Sequence, residues 1–406
     1  MEKYYYSKVD LATLCQRPAI RQVNVSAIME AVRKGGDEAV RGLTKRYDLT
    51  EIKDLQVTRR PKISAKLLKA LETAASNIEK FHKAQIRQRL TVGTMPGVTC
   101  FRESRPIERV GLYIPGGTAP LPSTVLMLGI PAKLAGCKEI VLVTPPAVDD
   151  SILAAAEIVG LKQIFQIGGA QAIAALAYGT ESVPKVDKIC GPGNQYVTAA
   201  KMQAQSEGCA IDMPAGPSEV MVIADEQARP DFVAADLLSQ AEHGPDSQVV
   251  LVCSNPDPIL QELEKQLKLL PRQEIAKQAL EKSFTLITEN LDQAIAFANQ
   301  YAPEHLILNT ANADQLVPQI INAGSVFLGP YSCESAGDYA SGTNHTLPTY
   351  GYAKAYSGVS IDTFTKQITF QKITRQGAKN IGPTVATIAQ AENLIAHKRA
   401  MTIRYE

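Results

Sequence analysis

Two short stretches, far apart in the chain, hold residue types that bind divalent metals. In Leu238-Ser239-Gln240-Ala241-Glu242-His243-Gly244-Pro245, a run with Phe232, Val233, Ala235, Leu237 and Leu238 on its apolar face comes to an end. Glycine caps helices and proline cannot continue one, so the helix must stop there. Gln240 and His243 are three residues apart and share a face of its last turn. A histidine beside an amide oxygen at a helix end is either half of a metal site or, more commonly, a partner for the last free carbonyls. What favours the metal is the second stretch, Glu334-Ser335-Ala336-Gly337-Asp338-Tyr339-Ala340-Ser341-Gly342-Thr343-Asn344-His345. There Asp338 and His345 sit in a glycine-rich loop too polar to be core.

Proton chemistry has its own candidate pair. In Tyr301-Ala302-Pro303-Glu304-His305-Leu306-Ile307-Leu308 the apolar run marks a buried strand, with a carboxylate and an imidazole at its mouth. Neighbours in a regular strand point to opposite faces, so both reach one ligand only if Pro303 and Glu304 lie in the turn. Such a pair in apolar surroundings suits proton transfer, because imidazole titrates near neutrality and burial raises a carboxyl pKa. A solvated Glu304 and a backbone-bonded His305 would serve structure alone. Cys333 is the tempting nucleophile, but it has no basic neighbour in sequence, and Glu334 beside it disfavours the thiolate. Cys137, Cys190 and Cys253 lie in or next to apolar strands and read as small core residues.

The elements that must hold these groups alternate between strand and helix. Residues 1 to about 90 read as helical, with a stop at Gly35-Gly36, a cap at Asp37, and a helix opened by Ser64. From 107, apolar strands end in glycine turns that open helices: Pro115-Gly116-Gly117-Thr118, Gly168-Gly169-Ala170-Gln171 and Gly191-Pro192-Gly193-Asn194. That pattern is a parallel sheet with helical crossovers. The backbone N–H groups of the last two turns can face a phosphate or dinucleotide, although neither completes GxGxxG and a plain tight turn fits them equally. A second series of similar size runs from Glu219 to 328. The fold class is therefore α/β, with two Rossmann-like open parallel-sheet domains, a helical N-terminal segment and a small C-terminal tail domain. The expected boundaries are 1–106 for the N-terminal segment, partly packed on the second sheet domain, 107–217 and 218–330 for the sheets, and 331–406 for a site loop and tail.

Composition narrows the function. Of 406 residues, 45% are hydrophobic and 20% charged, with a formal net charge of +1. Scattered, balanced charge argues against nucleic acid or an anionic membrane as partner. No apolar run approaches the ~18 residues of a spanning helix, and Met1-Glu2-Lys3-Tyr4-Tyr5-Tyr6 leads into no signal-peptide core, so a cytoplasmic protein is expected. Seven cysteines without a CxxC pair fit a reducing compartment. The tail, too small to fold alone, must pack on its own chain or on a twin.

With these stretches collected, the chain resembles the histidinol dehydrogenases from about residue 20 to its end. The most specific pieces are Gly111-Leu112-Tyr113-Ile114-Pro115-Gly116-Gly117, Cys190-Gly191-Pro192-Gly193-Asn194, Pro214-Ala215-Gly216-Pro217-Ser218-Glu219, 239–248, 301–306 and 334–348. The resemblance implies oxidation of L-histidinol to L-histidine through bound L-histidinal, in the last steps of histidine biosynthesis, with NAD and one zinc per subunit. It implies zinc on Gln240, His243, Asp338 and His397, and proton transfer by Glu304 and His305. It adds Ser218 and Glu392 to the metal ligands and His305 around the substrate, and sets Tyr113, Gln171 and Asn194 against NAD in the first sheet domain. The tail of one subunit would complete the partner's site, which makes a homodimer. Glu392 and His397 stand five apart, about 140° around a helix, so they share a site only if the helix ends between them or the ligand straddles it. His345 is assigned to support of the loop and not to the metal. The rivals are a zinc-dependent hydrolase of a small amino compound, with Glu304 as base, a non-catalytic amino-acid sensor, and a cysteine-dependent aldehyde dehydrogenase.

Overall fold

The computed structural model describes residues 1–17, 23–116, 119–214 and 216–406. The expected turn residues Gly117 and Thr118, and Ala215 of the Pro214–Glu219 stretch, lie outside the described residues. Among those described, the strands in chain order are β1 (Glu2–Tyr5), β2 (Leu90–Met95), β3 (Val98–Pro106), β4 (Arg109–Tyr113), β5 (Glu139–Thr144), β6 (Gln163–Gln166) and β7 (Lys188–Cys190). They continue with β8 (Ala210–Ile211), β9 (Glu219–Ala224), β10 (Gln248–Cys253), β11 (Phe284–Ile287), β12 (His305–Asn309), β13 (Ser325–Leu328) and β14 (Thr365–Ile373).

Two parallel sheets form, in the orders β6-β5-β4-β7-β8 and β1-β11-β10-β9-β12-β13. Both wind the same way: the first strand of each series is central, the next two lie to one side and the last two to the other. This is the doubly wound plan, and the protein is an α/β protein with two Rossmann-like sheets. Strands β9 and β10 are buried at every residue. Their unbroken apolar runs follow from that, because helices cover both faces of a parallel sheet.

Two expectations need correction. Residues 1–90 are not all helical: Glu2–Tyr5 pairs in register with Phe284–Ile287 and extends the second sheet. Of the N-terminal segment, Leu14 also joins a core of the second sheet, while the long helices, Ser26–Tyr47 and Ala65–Lys83, pack on the first, with Met29, Val32 and Val40 in one core and Leu71 and Ile78 in another. The stop at Gly36 is real, with φ at 52°, but Asp37 does not cap its own helix. Its carboxylate accepts hydrogen bonds from Thr180 and Ser182 and ties the helix to that loop.

The third sheet is antiparallel, in the order β14-β3-β2. It joins the hairpin that precedes the first parallel sheet to the tail, and Phe101 stacks on Phe370 at 4.8 Å to help hold the pair. The tail continues as helices Arg375–Ala391 and Ile395–Thr402. The first ends at Glu392 and Asn393 turns left-handed, so the helix does break between Glu392 and His397.

One glycine fixes the inner wall of the first sheet. Gly191 has φ at 130°, and a Cβ there would lie 2.1 Å from the Tyr113 carbonyl oxygen. Two strands meet backbone to backbone, so neither can give way. Gly191→Ala is expected to cost on the order of 3 kcal/mol. Chemical denaturation checks this, and a change under about 0.5 kcal/mol would contradict the close packing.

Candidate active site

A cavity of about 730 Å³ opens between the two parallel sheets. The first sheet lines it with the turns that follow its strands, at Pro115 and Gly191 to Asn194. The second sheet presents the opposite ends, because Ser218, His243, Glu304 and His305 all precede or begin strands. The two walls therefore differ in electrostatic sense. Helix Gln195–Ser206 points its N-terminus at the cavity, where free N–H groups favour an anion, with the Asn194 side chain accepting from Tyr196 and Val197. Helix Pro230–Ala241 ends at the other wall, where free carbonyls favour a cation.

The cation-favouring wall holds the metal-type residues. The helix stops at Ala241, so Gln240 lies in its last turn while His243 lies just beyond it. The His243 N–H still bonds to the Gln240 carbonyl at 3.2 Å, which keeps the two together. Residues 334–345 are not wholly loop: Glu334–Tyr339 forms a short helix, which sets Glu334 and Asp338 on one face. Ligand atoms of His243, Glu334 and Asp338 lie within 4.8 Å of one another, a spacing that suits one cation. Gln240 is completely buried, and neither its amide oxygen nor its nitrogen has a hydrogen-bond partner. Both oxygens of Glu334 are equally unpartnered. Each unsatisfied buried group costs about 1–3 kcal/mol, so this set fits a bound metal better than it fits a finished core.

The charges record the same crowding. Burial pushes the Glu334 carboxyl far up, with His305 opposing and Asp338 adding to it. Burial also raises Asp338, but His305 beside it wins and holds the acid below the usual carboxylate range. His243 opens onto the cavity by surface area, yet the atoms packed around its ring lower its pKa, with Asp338 opposing.

The candidate proton-transfer pair is set by a kink. Ala302 has left-handed φ of 56°, which turns the chain after helix Leu291–Tyr301 and leaves Glu304 outside the strand. Glu304 and His305 thus both face the cavity, as the turn requirement demanded. The backbone of Glu219 holds both: its N–H donates to Glu304 Oε2 at 2.8 Å, and its carbonyl lies 3.1 Å from His305 Nδ1. That contact favours Nδ1 as a donor, so Nε2, on the cavity side, is the atom that gains or loses the second proton. Nε2 stands 3.6 Å from Asp338 Oδ1, longer than a hydrogen bond, and has no other partner. Burial drives Glu304 up to about 8. For His305 burial acts downward, but Glu334, Glu304 and Asp338 outweigh it and carry the imidazole up to about 10.

The remaining expected residues are dispersed. Ser218 lines the cavity. His345 also lines it, with Nε2 unpartnered. Tyr113 and Gln171 are buried away from the lining, where the Tyr113 hydroxyl accepts from the Gly169 N–H and Gln171 donates to Asp48. Glu392 and His397 lie exposed on the tail, outside the lining of this chain's cavity. Cys333 is half-buried and does not line the cavity. Sequence reasoning missed Glu334 as a site residue. Its spacing of four from Asp338 was the available signal, hidden because the glycines around it read as loop.

An α/β protein whose sheets enclose a buried Glu–His pair beside a metal-type cluster is built for polar redox or hydrolytic chemistry on a small molecule. A family model described as histidinol dehydrogenase matches residues 16–405. The histidinol dehydrogenase of Vibrio parahaemolyticus is 54% identical over 97% of this chain and 95% of its own length. That of Aliivibrio fischeri is 53% identical over 97% of this chain and 93% of its own. The crystal structure of histidinol dehydrogenase from Elizabethkingia anophelis superposes with a TM-score of 0.97 at 51% identity, covering 100% of this chain and 98% of that one. The chain belongs to the histidinol dehydrogenase family and is an oxidoreductase of histidine biosynthesis. Among the described residues no helix is long and apolar enough to cross a membrane.

Proposed function

We propose that the protein oxidises L-histidinol to L-histidine in the cytoplasm, through bound L-histidinal and with two NAD consumed. The observation that carries this reading is the buried Glu304–His305 pair facing the same cavity as His243 and Asp338. Gln240, His243 and Asp338 would hold zinc, together with His397 of the partner subunit. Zinc, when bound, supplies positive charge that offsets the carboxylates around His305 and polarises the substrate hydroxyl. NAD, when bound, supplies the hydride acceptor for both oxidations, with Asn194 of the cavity lining and Tyr113 and Gln171 of the first sheet domain assigned to it.

The chain's own residues then move protons. His305 Nε2 takes the hydroxyl proton of histidinol as hydride leaves the carbinol carbon, giving the aldehyde. Glu304, held at Oε2 by the Glu219 N–H, takes a proton from the water that adds to the aldehyde. Once His305 has passed its first proton to solvent, loss of a second hydride from that hydrate, with its hydroxyl proton going to Nε2, yields the acid. Ser218, and Glu392 of the partner subunit, would orient the substrate, which makes the working form a homodimer.

Two NADH per L-histidinol are expected, with formation abolished by a chelator and restored by zinc. Product formation without NADH would instead identify a zinc-dependent hydrolase and remove this reading.

A further inference from the structure

The backbone of Glu219 holds both members of the proton-transfer pair, so whatever fixes Glu219 governs them. Its side chain is 1% exposed and is gripped by Arg17, itself 7% exposed. Arg17 Nε donates to Oε1 at 2.9 Å and Nη2 to Oε2 at 3.1 Å, a two-pronged clamp that a planar guanidinium makes and an ammonium does not. The same guanidinium lies 3.4 Å from the centre of the Tyr301 ring and donates to the Tyr301 carbonyl at 2.9 Å. Tyr301 is the last residue of the helix before the left-handed Ala302 turn that presents Glu304. Glu219 Oε1 also accepts the Tyr350 N–H at 3.1 Å, and Tyr350 is in the cavity wall. One buried ion pair thus joins the N-terminal segment, the start of β9, the turn before β12 and the cavity loop.

We propose that Arg17, acting through Glu219, is the positioning residue that sets the register of Glu304 and His305. Arg17 is not in the cavity lining; it fixes where the Glu219 N–H and C=O stand relative to β12. A small displacement of a positioned acid–base group slows chemistry far more than it weakens binding. This inference rests on the assignment of Glu304 and His305 as the proton-transfer pair.

Arg17→Met is expected to lower kcat about 30-fold while the KM for histidinol stays within about threefold. Arg17→Lys should recover only part of the loss, because a point charge cannot bind both oxygens. Glu219→Gln should resemble Arg17→Met, and the double variant should be no worse than either alone. The second readout needs no turnover. In metal-free protein labelled with 15N-histidine, the Nδ1–H resonance of His305, identified by its loss in His305→Asn, should shift or broaden in Arg17→Met. If Arg17→Met does not fold, the same measurement on Arg17→Lys decides. An unchanged His305 resonance overturns the proposal, even with reduced kcat, because the loss would then be general. A wild-type protein that makes no NADH from histidinol would sink the functional reading, while the resonance would still report on the clamp.

Discussion

His305→Asn is expected to reduce kcat for histidinol oxidation about 10³-fold with substrate binding retained. Asparagine keeps a donor near the Glu219 carbonyl, where Nδ1 now lies at 3.1 Å, so the fold around the site should persist. What it removes is Nε2, which stands 3.6 Å from Asp338 Oδ1. Glu304→Gln likewise keeps an oxygen for the Glu219 N–H and loses only the ability to take a proton. Its defect should fall on the second oxidation, so supplying L-histidinal directly should rescue it poorly. Steady-state NADH formation from each substrate separates the two roles. Turnover within threefold of wild type in both variants would dismiss the pair as catalytic.

Asp338→Asn is expected to abolish zinc-dependent stabilisation and, with it, turnover. Wild type should gain about 4 kcal/mol from zinc at 1,000 times its dissociation constant. That gain would appear as a rise of several degrees in melting temperature, and a chelator should reverse it. In the chelator Glu334→Gln should melt at or above wild type, because a buried carboxylate with two unpartnered oxygens destabilises a protein that holds no cation. Asp338→Asn should melt below it, because His305 favours the ionised Asp338 in the folded state. The pH dependence follows the same sense. Glu304 moves from 4.5 to about 8 and His305 from 6.5 to about 10, both upward on folding. Their contribution is fully present below the ordinary values and is lost as pH rises through the folded ones. In chelator, the advantage of wild type over Glu304→Gln/His305→Asn should therefore shrink between about pH 5 and 10. A zinc-induced melting shift that survives in Asp338→Asn would remove Asp338 from the cluster.

Much of this architecture is legible in the residues themselves. Parallel strands buried on both faces write themselves as unbroken apolar runs, so β4, β5, β9, β10 and β12 stand out from their neighbours. The requirement that Glu304 sit in a turn was readable from Pro303, and the left-handed Ala302 meets it. Long-range pairing was not readable. Glu2-Lys3-Tyr4-Tyr5 carries charge at its start and shows no apolar alternation, so nothing local marks it as a partner for Phe284–Ile287. Arg17 reads as an ordinary surface charge until the fold brings it to Glu219, 202 residues away. Glu334 was obscured by the reverse effect, since local glycines outvoted a spacing that only the short helix reveals. Local pattern names the elements; which polar groups meet is decided by topology.

The edge pairing of β1 also bears on how the polypeptide is made. A ribosome adds about 5–20 residues per second, so Glu2–Tyr5 emerges tens of seconds before Phe284, its neighbour in the sheet, exists. During that interval the first sheet can close around its own strands, whereas the second, with the wall that carries Glu304 and His305, stays unfinished until β13 has been added. Glu2–Tyr5 thus waits without its sheet neighbour until Phe284–Ile287 has been made. Slow translation downstream of β8 would lengthen that wait without changing a single residue of the finished enzyme.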